Sequence, residues 1–159
     1  MSERSAQVTI AAGYSATEWE LLTGLPGRVI VVAARSGPGG AYPPVAAGLA
    51  GLDAVAAGRV FDSDLIRAVV AAIYARHDGA PETGAGPGGG VDLLAACRTA
   101  VRVLQRRADP ADSAAYRQWV QSVGARVCRT ASAVVVPDAA LAPADRRFLD
   151  RLGGALALR

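Results

Sequence analysis

Lysine is absent from this sequence, and histidine occurs only once, at position 77. The two glycine-rich runs, at 37–40 and 84–90, therefore lack the lysine that ends a Walker-type phosphate loop. His77 has no neighbouring nucleophile in the sequence, so capping of a helix end is favoured for it over general-base catalysis. These absences predict a protein that is not an enzyme and that holds no cofactor.

The sequence contains only two cysteines, Cys97 and Cys128, and both fall on the apolar faces of predicted helices. Two distant thiols without a neighbouring Cys or His pair are weak evidence for a disulfide or for zinc. We therefore expect both thiols to be buried and chemically inert. An enzymatic alternative would bring one of them close to His77 in the fold.

Aromatic residues make up only 5% of the chain, and long apolar runs are missing. A composition rich in alanine and poor in bulky side chains favours closely packed helices over a β-sheet. No stretch reaches the roughly eighteen consecutive apolar residues of a membrane-spanning helix, and residues 1–15 lack the apolar core of a secretory signal. The sequence therefore predicts a cytoplasmic protein without a membrane span.

All seventeen basic residues are arginine, which indicates the coding bias of a GC-rich bacterial genome. The net charge of +3 is too small to give a strong nucleic-acid signal. One helix face nevertheless concentrates arginines and is the best candidate for binding an anion or a polynucleotide backbone. It consists of Arg98, Arg102, Arg106 and Arg107. No aromatic residues interleave with them, so a solvated helix surface is the favoured alternative.

Five aspartates supply the oxygen atoms that a hard divalent cation prefers. They are Asp53, Asp62, Asp64, Asp109 and Asp112. Their spacing matches no calcium-binding loop, and helix starts account for three of them. No metal ligand is therefore assigned, and divalent-metal binding is kept as an alternative function.

The strongest helix signal lies at 109–131. Asp109 suits the N-cap, Pro110 the first helical position, and Asp112 adds negative charge to the first turn. Apolar side chains then recur with the 3.6-residue period of a helix that packs on a core. They are Tyr116, Trp119, Val120, Val123, Gly124, Val127, Cys128 and Ala131.

Weaker signals predict the other helices. Ser15 and Glu18 form a capping box at the start of the first helix, which the glycines and proline of 24–27 should interrupt. Further helices are predicted at 29–34, 62–77, 91–108 and from 143 onward. In the helix after Pro44, the apolar side chains expected to face the core are Val45, Leu49, Leu52, Val55 and Ala56. Gly48 and Gly51 of that helix indicate the close approach of another backbone.

The expected organisation is a flexible N-terminal arm at 1–13, frayed or extended along the protein, followed by one domain at 14–159. That domain is predicted to be an all-α bundle of about six or seven helices. A glycine-rich loop at 78–90 should connect two of them.

Four segments resemble the tellurite-resistance TerB-like group of all-helical proteins. They are ATEWELLTGLPGRVIVVAA, FDSDLIRAVVAAI, AYRQWVQSVGARVCRTA and LAPADRRFLDRLGGALAL. The resemblance implies a compact bundle of about seven helices that acts as a non-enzymatic interaction or stress-response accessory module. Some members bind divalent metal through acidic residues, but this chain has Arg35, Ser36 and Gly37 where an acidic turn is expected. A protein partner is compatible with this function, and the sequence does not determine the oligomeric state.

Overall fold

The computed structural model describes residues 2–36, 45–77, 90–133 and 141–158. Within these ranges the chain forms seven α-helices, one 3-10 turn and no strand, which confirms the predicted all-α bundle. The helices are α1 (Ser2–Ala12), α2 (Ala16–Ser36), α3 (Val45–Ala56), α4 (Asp64–His77), α5 (Gly90–Arg107), α6 (Pro110–Ala133) and α7 (Pro143–Ala155), and the 3-10 turn (Ala57–Val60) follows α3. None of these helices is both long enough and apolar enough to cross a membrane.

Helix α6 lies at the centre of the bundle and packs against α2, α3, α4, α5 and α7. All eight residues of its predicted apolar stripe are buried, so the stripe is confirmed. Its largest side chains, Tyr116 and Trp119, are completely enclosed and meet edge to face with ring centroids 5.8 Å apart. Because α6 contacts five other helices, its buried apolar residues form the centre of the hydrophobic core.

The predicted start signals of α2 and α6 are confirmed, and the structure shows a further cap at the start of α4. Ser15 and Glu18 bond reciprocally, with the Ser15 N–H donating to the Glu18 carboxylate over 2.8 Å and the Glu18 N–H donating to the Ser15 hydroxyl over 3.1 Å. Ser63 caps α4 by accepting a hydrogen bond from the N–H of Ile66. Asp109 accepts one from the N–H of Ala111 at the start of α6. Each bond satisfies an N–H group that a helix start leaves without an intrahelical partner.

The predicted break at 24–27 is wrong, because α2 runs through Pro26 to Ser36. The helix predicted at 29–34 is confirmed as the second half of α2. Proline lacks an N–H group, so the carbonyl of Leu22, four residues earlier, loses its intrahelical donor. The hydroxyl of Tyr116 donates to that carbonyl over 2.7 Å. A side chain from α6 thus compensates for the missing hydrogen bond.

The conformation of the N-terminal segment differs from the expected frayed or extended one, because residues 2–12 form helix α1. The helix packs against α4, and Ile10 reaches the edge of the core. Hydrogen bonds from the N–H groups of Gly13 and Tyr14 to the carbonyls of Ile10 and Ala11 close the turn into α2. Short helices are marginal by themselves, so packing on α4 supplies the stability that the local sequence does not reveal.

Three predictions concern residues that the structure does not describe. The glycine-rich run at 37–40 and nearly all of the loop at 78–90 lie outside the described ranges, although Gly90 is the first residue of α5. His77 is the last residue of α4, and its side chain is also outside the description.

Candidate functional site

The arginine-rich face of α5 is divided by its contacts. Arg106 and Arg107 form ion pairs of 3.3 and 3.4 Å with the two carboxylate oxygens of Glu18 on α2. Arg98 and Arg102 are exposed and make no ion pair in the described part of the chain. The four arginines are therefore not a uniform anion-binding surface, because half of them hold α5 against the start of α2.

Glu18 is placed so that its negative charge is favoured. Its pKa lies below the ordinary value of 4.5, first because the Ser15 N–H donates to the carboxylate and then because Arg107 and Arg106 are close, against an opposing effect of desolvation. One side chain thereby combines a helix cap with a contact between α2 and α5.

This arrangement predicts a specific pH dependence for the Glu18→Gln variant. A carboxyl whose pKa is lower in the folded than in the unfolded state stabilises the fold above its unfolded pKa, and this stabilisation is lost as the pH falls through the folded value. We expect Glu18→Gln to lower the melting temperature at pH 7 and to differ less from the wild type as the pH drops below 4.5. Thermal melts across this pH range measure the difference.

Glu20→Gln is the matched control, because Glu20 lies on the exposed side of the same helix and forms no ion pair with the described residues. Its melting temperature should follow that of the wild type at every pH. A pH-independent effect of Glu18→Gln would contradict the role assigned to the carboxylate.

Three of the five aspartates considered as metal ligands have contacts of their own. Asp64 pairs with Arg67, Asp109 caps α6, and Asp112 accepts a hydrogen bond of 2.7 Å from the Ser63 hydroxyl. The described residues contain no group of three or more His, Cys, Asp or Glu side chains arranged to hold a metal ion. Helix capping and helix contacts thus explain the positions of these three carboxylates.

A buried polar cluster joins α6 to α7, and the sequence pattern did not reveal it. Asp145, in the first turn of α7, is fully buried, and the hydroxyl of Ser132 donates to its carboxylate over 2.6 Å. The N–H of Ala142 donates to the same hydroxyl over 3.0 Å. In a capping box, the carboxylate of the third helical residue accepts a hydrogen bond directly from the N–H of the N-cap residue. Here the Ser132 hydroxyl lies between the two groups, because it accepts from the Ala142 N–H and donates to the Asp145 carboxylate. Among the described residues, no hydrogen bond of ordinary length reaches the second carboxylate oxygen of Asp145.

Both thiols are buried and protonated. Burial raises the pKa of Cys97 to about 11 and that of Cys128 to about 12, and the neighbouring Asp145 carboxylate adds to the shift of Cys128. Because the thiolate is the reactive form, the sequence-based expectation of inert cysteines is supported by this environment.

We therefore expect the folded protein to be unreactive toward a thiol reagent such as DTNB near neutral pH. Unfolding in concentrated guanidinium chloride should release two titratable thiols. Absorbance after DTNB addition measures both states, and the Cys97→Ala and Cys128→Ala variants assign each signal. A thiol that reacts at the same rate before and after unfolding would contradict its burial.

The exposed side of α3 is the most distinctive surface of the described chain. Val45, Leu49 and Leu52 are 79%, 56% and 53% exposed. They recur at the spacing that places side chains on one helix face. Gly48 lies on the same face, and among the described residues no atom outside the backbone of α3 lies within 4 Å of the position that a Cβ would take there. Asp53 is the only charged residue of the helix.

The predicted core side of α3 is therefore wrong for Val45, Leu49 and Leu52 and is confirmed for Val55. The buried residues are Ala47, Gly51, Ala54 and Val55. A Cβ on Gly51 would lie 2.7 Å from Ile30 and 2.8 Å from Val127. A close approach is thus found at Gly51, but it is made by side chains of α2 and α6 and not by the predicted backbone, and among the described residues no such approach is found at Gly48. The small residues Ala47, Gly51 and Ala54 lie on one face of α3. Their spacing in the sequence is the signal that could have identified this face as the buried one.

The exposed apolar residues on one face of α3 are unusual, because soluble proteins rarely leave a contiguous apolar patch in contact with water. No protein-family model matches the chain, and neither a curated protein nor a solved structure shows significant similarity to it. The class that the geometry defines, over the described residues, is an all-α bundle with an exposed apolar face on α3.

Proposed function

We propose that the protein is a non-enzymatic interaction module of the TerB-like type, and that it assembles with a second copy of itself through α3. In this proposal the module serves as an accessory to a stress response such as tellurite resistance. The interaction surface consists of Val45, Gly48, Leu49 and Leu52, and we call it the α3 face.

Gly48 is the observation that carries the proposal. Glycine inside a helix is less stable than alanine by about 0.5–1 kcal/mol, so it is expected where a neighbour needs the space of a side chain. Gly51 has such neighbours within its own chain. No atom of the described residues outside the helix backbone lies within 4 Å of a Cβ placed at Gly48, and the same holds for Gly24, Gly27 and Gly154, but of these Gly48 is the one that lies among the exposed apolar side chains of α3. Ile30 and Val127 occupy the space beside Gly51. A helix of a second molecule would occupy the space beside Gly48 in the same way.

The α3 face is complementary to itself. It carries protruding side chains next to a notch, so two antiparallel copies can place Leu49 of each into the notch at Gly48 of the other. Twofold symmetry of this kind is the commonest arrangement of soluble dimers. The single charge of the helix, Asp53, lies beyond the centre of the face, so the two copies would hold these like charges at opposite ends.

The extent of the surface also limits the affinity. One helix face with three large apolar side chains is small compared with the roughly 800 Å² that each partner of a stable complex usually contributes. We therefore expect a reversible dimer with a dissociation constant on the order of micromolar or weaker.

Sedimentation equilibrium over a concentration series tests the proposal. The wild type should change from monomer to dimer as its concentration rises, and Leu49→Asn should remain monomeric. Val60→Asn is the matched control, since Val60 is also a highly exposed apolar residue but lies in the 3-10 turn, outside the α3 face. It should self-associate like the wild type.

Gly48→Ala provides a second test in which folding and assembly change in opposite directions. Alanine should stabilise the monomer by about 0.5–1 kcal/mol and weaken self-association by filling the notch. Gly27→Ala is the matched control, because Gly27 is an exposed helical glycine with no atom near its Cβ position. It should give the gain in stability alone. A monomeric wild type at all concentrations, or a Gly48→Ala variant that dimerises like the wild type, would overturn the proposal.

A further inference from the structure

A second surface feature lies where α1 packs on α4. A cleft of about 310 Å³ is lined by residues of α1, the 3-10 turn and α4. Its lining includes the apolar side chains of Ile10, Val70 and Ala71 and the charged side chains of Arg59, Asp64 and Arg67. This volume lies at the lower end of the range for small-molecule sites, so the cleft suits a short ligand.

The two arginines of the cleft differ in what they already bind. Arg67 pairs with Asp64 and donates to the carbonyl of Phe61 over 2.8 Å, so its charge is neutralised within the protein. Arg59 forms no ion pair and donates no hydrogen bond to any residue in the described ranges. The cleft therefore retains one unneutralised positive charge.

Tyr74 holds the free arginine in place. The guanidinium carbon of Arg59 lies 4.4 Å from the centre of the Tyr74 ring. Stacking on an aromatic face occupies one face of the guanidinium and leaves the N–H groups at its edge available. A planar carboxylate can accept two of these hydrogen bonds side by side.

We propose that this cleft binds a small amphipathic monocarboxylate. The carboxylate pairs with the edge of the Arg59 guanidinium, and the apolar part of the ligand lies against the partly exposed side chains of Ile10 and Ala71. A single free arginine matches a single negative charge, whereas a multiply charged phosphate would find no second free cation among the cleft residues. This site is distinct from the α3 face and does not depend on self-association.

Isothermal titration calorimetry with hexanoate tests the proposal, with hexanol as the probe that shares the alkyl chain but lacks the charge. The wild type should bind hexanoate and should bind hexanol far more weakly. Arg59→Gln should raise the hexanoate dissociation constant by about ten-fold or more, since a charge-assisted hydrogen bond is lost. Arg98→Gln removes an exposed arginine from α5 and should leave binding unchanged.

Three results would overturn the proposal. They are no hexanoate binding by the wild type, equal binding of hexanoate and hexanol, and full binding by Arg59→Gln. Leu49→Asn separates this site from the α3 face, because that variant should keep the wild-type affinity for hexanoate whether or not the protein dimerises. Hydrogen exchange gives an independent readout, since a ligand that bridges α1 and α4 should slow amide exchange in α1.

Discussion

Trp119→Ala should lower the free energy of unfolding by about 3–5 kcal/mol, the range expected for truncating a buried aromatic side chain. The indole is fully buried, and its N–H donates to the carbonyl of Ala54 over 3.1 Å. That carbonyl belongs to the last turn of α3, where carbonyls lack intrahelical donors. The variant therefore loses apolar packing and leaves the buried carbonyl of Ala54 without its hydrogen-bond donor.

Urea denaturation monitored by circular dichroism measures this loss. Trp19→Ala is the matched control, because Trp19 is only partly buried, at the edge of the core against Tyr14. Its effect should be clearly smaller. A near-neutral Trp119→Ala variant would contradict the central position of α6.

Tyr116→Phe should destabilise the fold by about 1–3 kcal/mol although it removes only one oxygen atom. The hydroxyl is buried and is the donor to the Leu22 carbonyl that Pro26 leaves without an N–H. Removing it leaves that carbonyl without its side-chain donor inside the core.

A double-mutant cycle with Pro26→Ala isolates this effect. Alanine restores the N–H that can bond to the Leu22 carbonyl, so Tyr116→Phe should cost much less stability in the Pro26→Ala background. Urea denaturation of the wild type, both single variants and the double variant gives the coupling energy. Additive effects of the two substitutions would show that the hydroxyl does not replace the missing donor.

Capping and periodicity predicted the parts of the fold that local interactions specify. The start of α6 and its buried stripe follow from Asp109, Pro110 and the spacing of the apolar residues, and the same holds for the capping box at Ser15. These signals succeed because a cap and an amphipathic stripe act within one or two helical turns.

The candidate surfaces were less predictable. The arginines of α5 were found by spacing, but their pairing with Glu18 depends on an antiparallel neighbour far away in sequence. The cleft beside Arg59 requires α1, a helix that has no clear local signal. The α3 face was assigned to the core because its larger apolar residues outweighed the small ones on the opposite side.

The sequence by itself thus determined the helical class, most helix positions and the core side of α6, since these depend on backbone propensity and local periodicity. Only the tertiary structure decided that α2 continues through Pro26, that α3 buries its small residues, and that residues 2–12 form a helix. The physical reason is the same in each case. A distant side chain or helix supplies a hydrogen bond, a close contact or a packing surface that no local pattern contains.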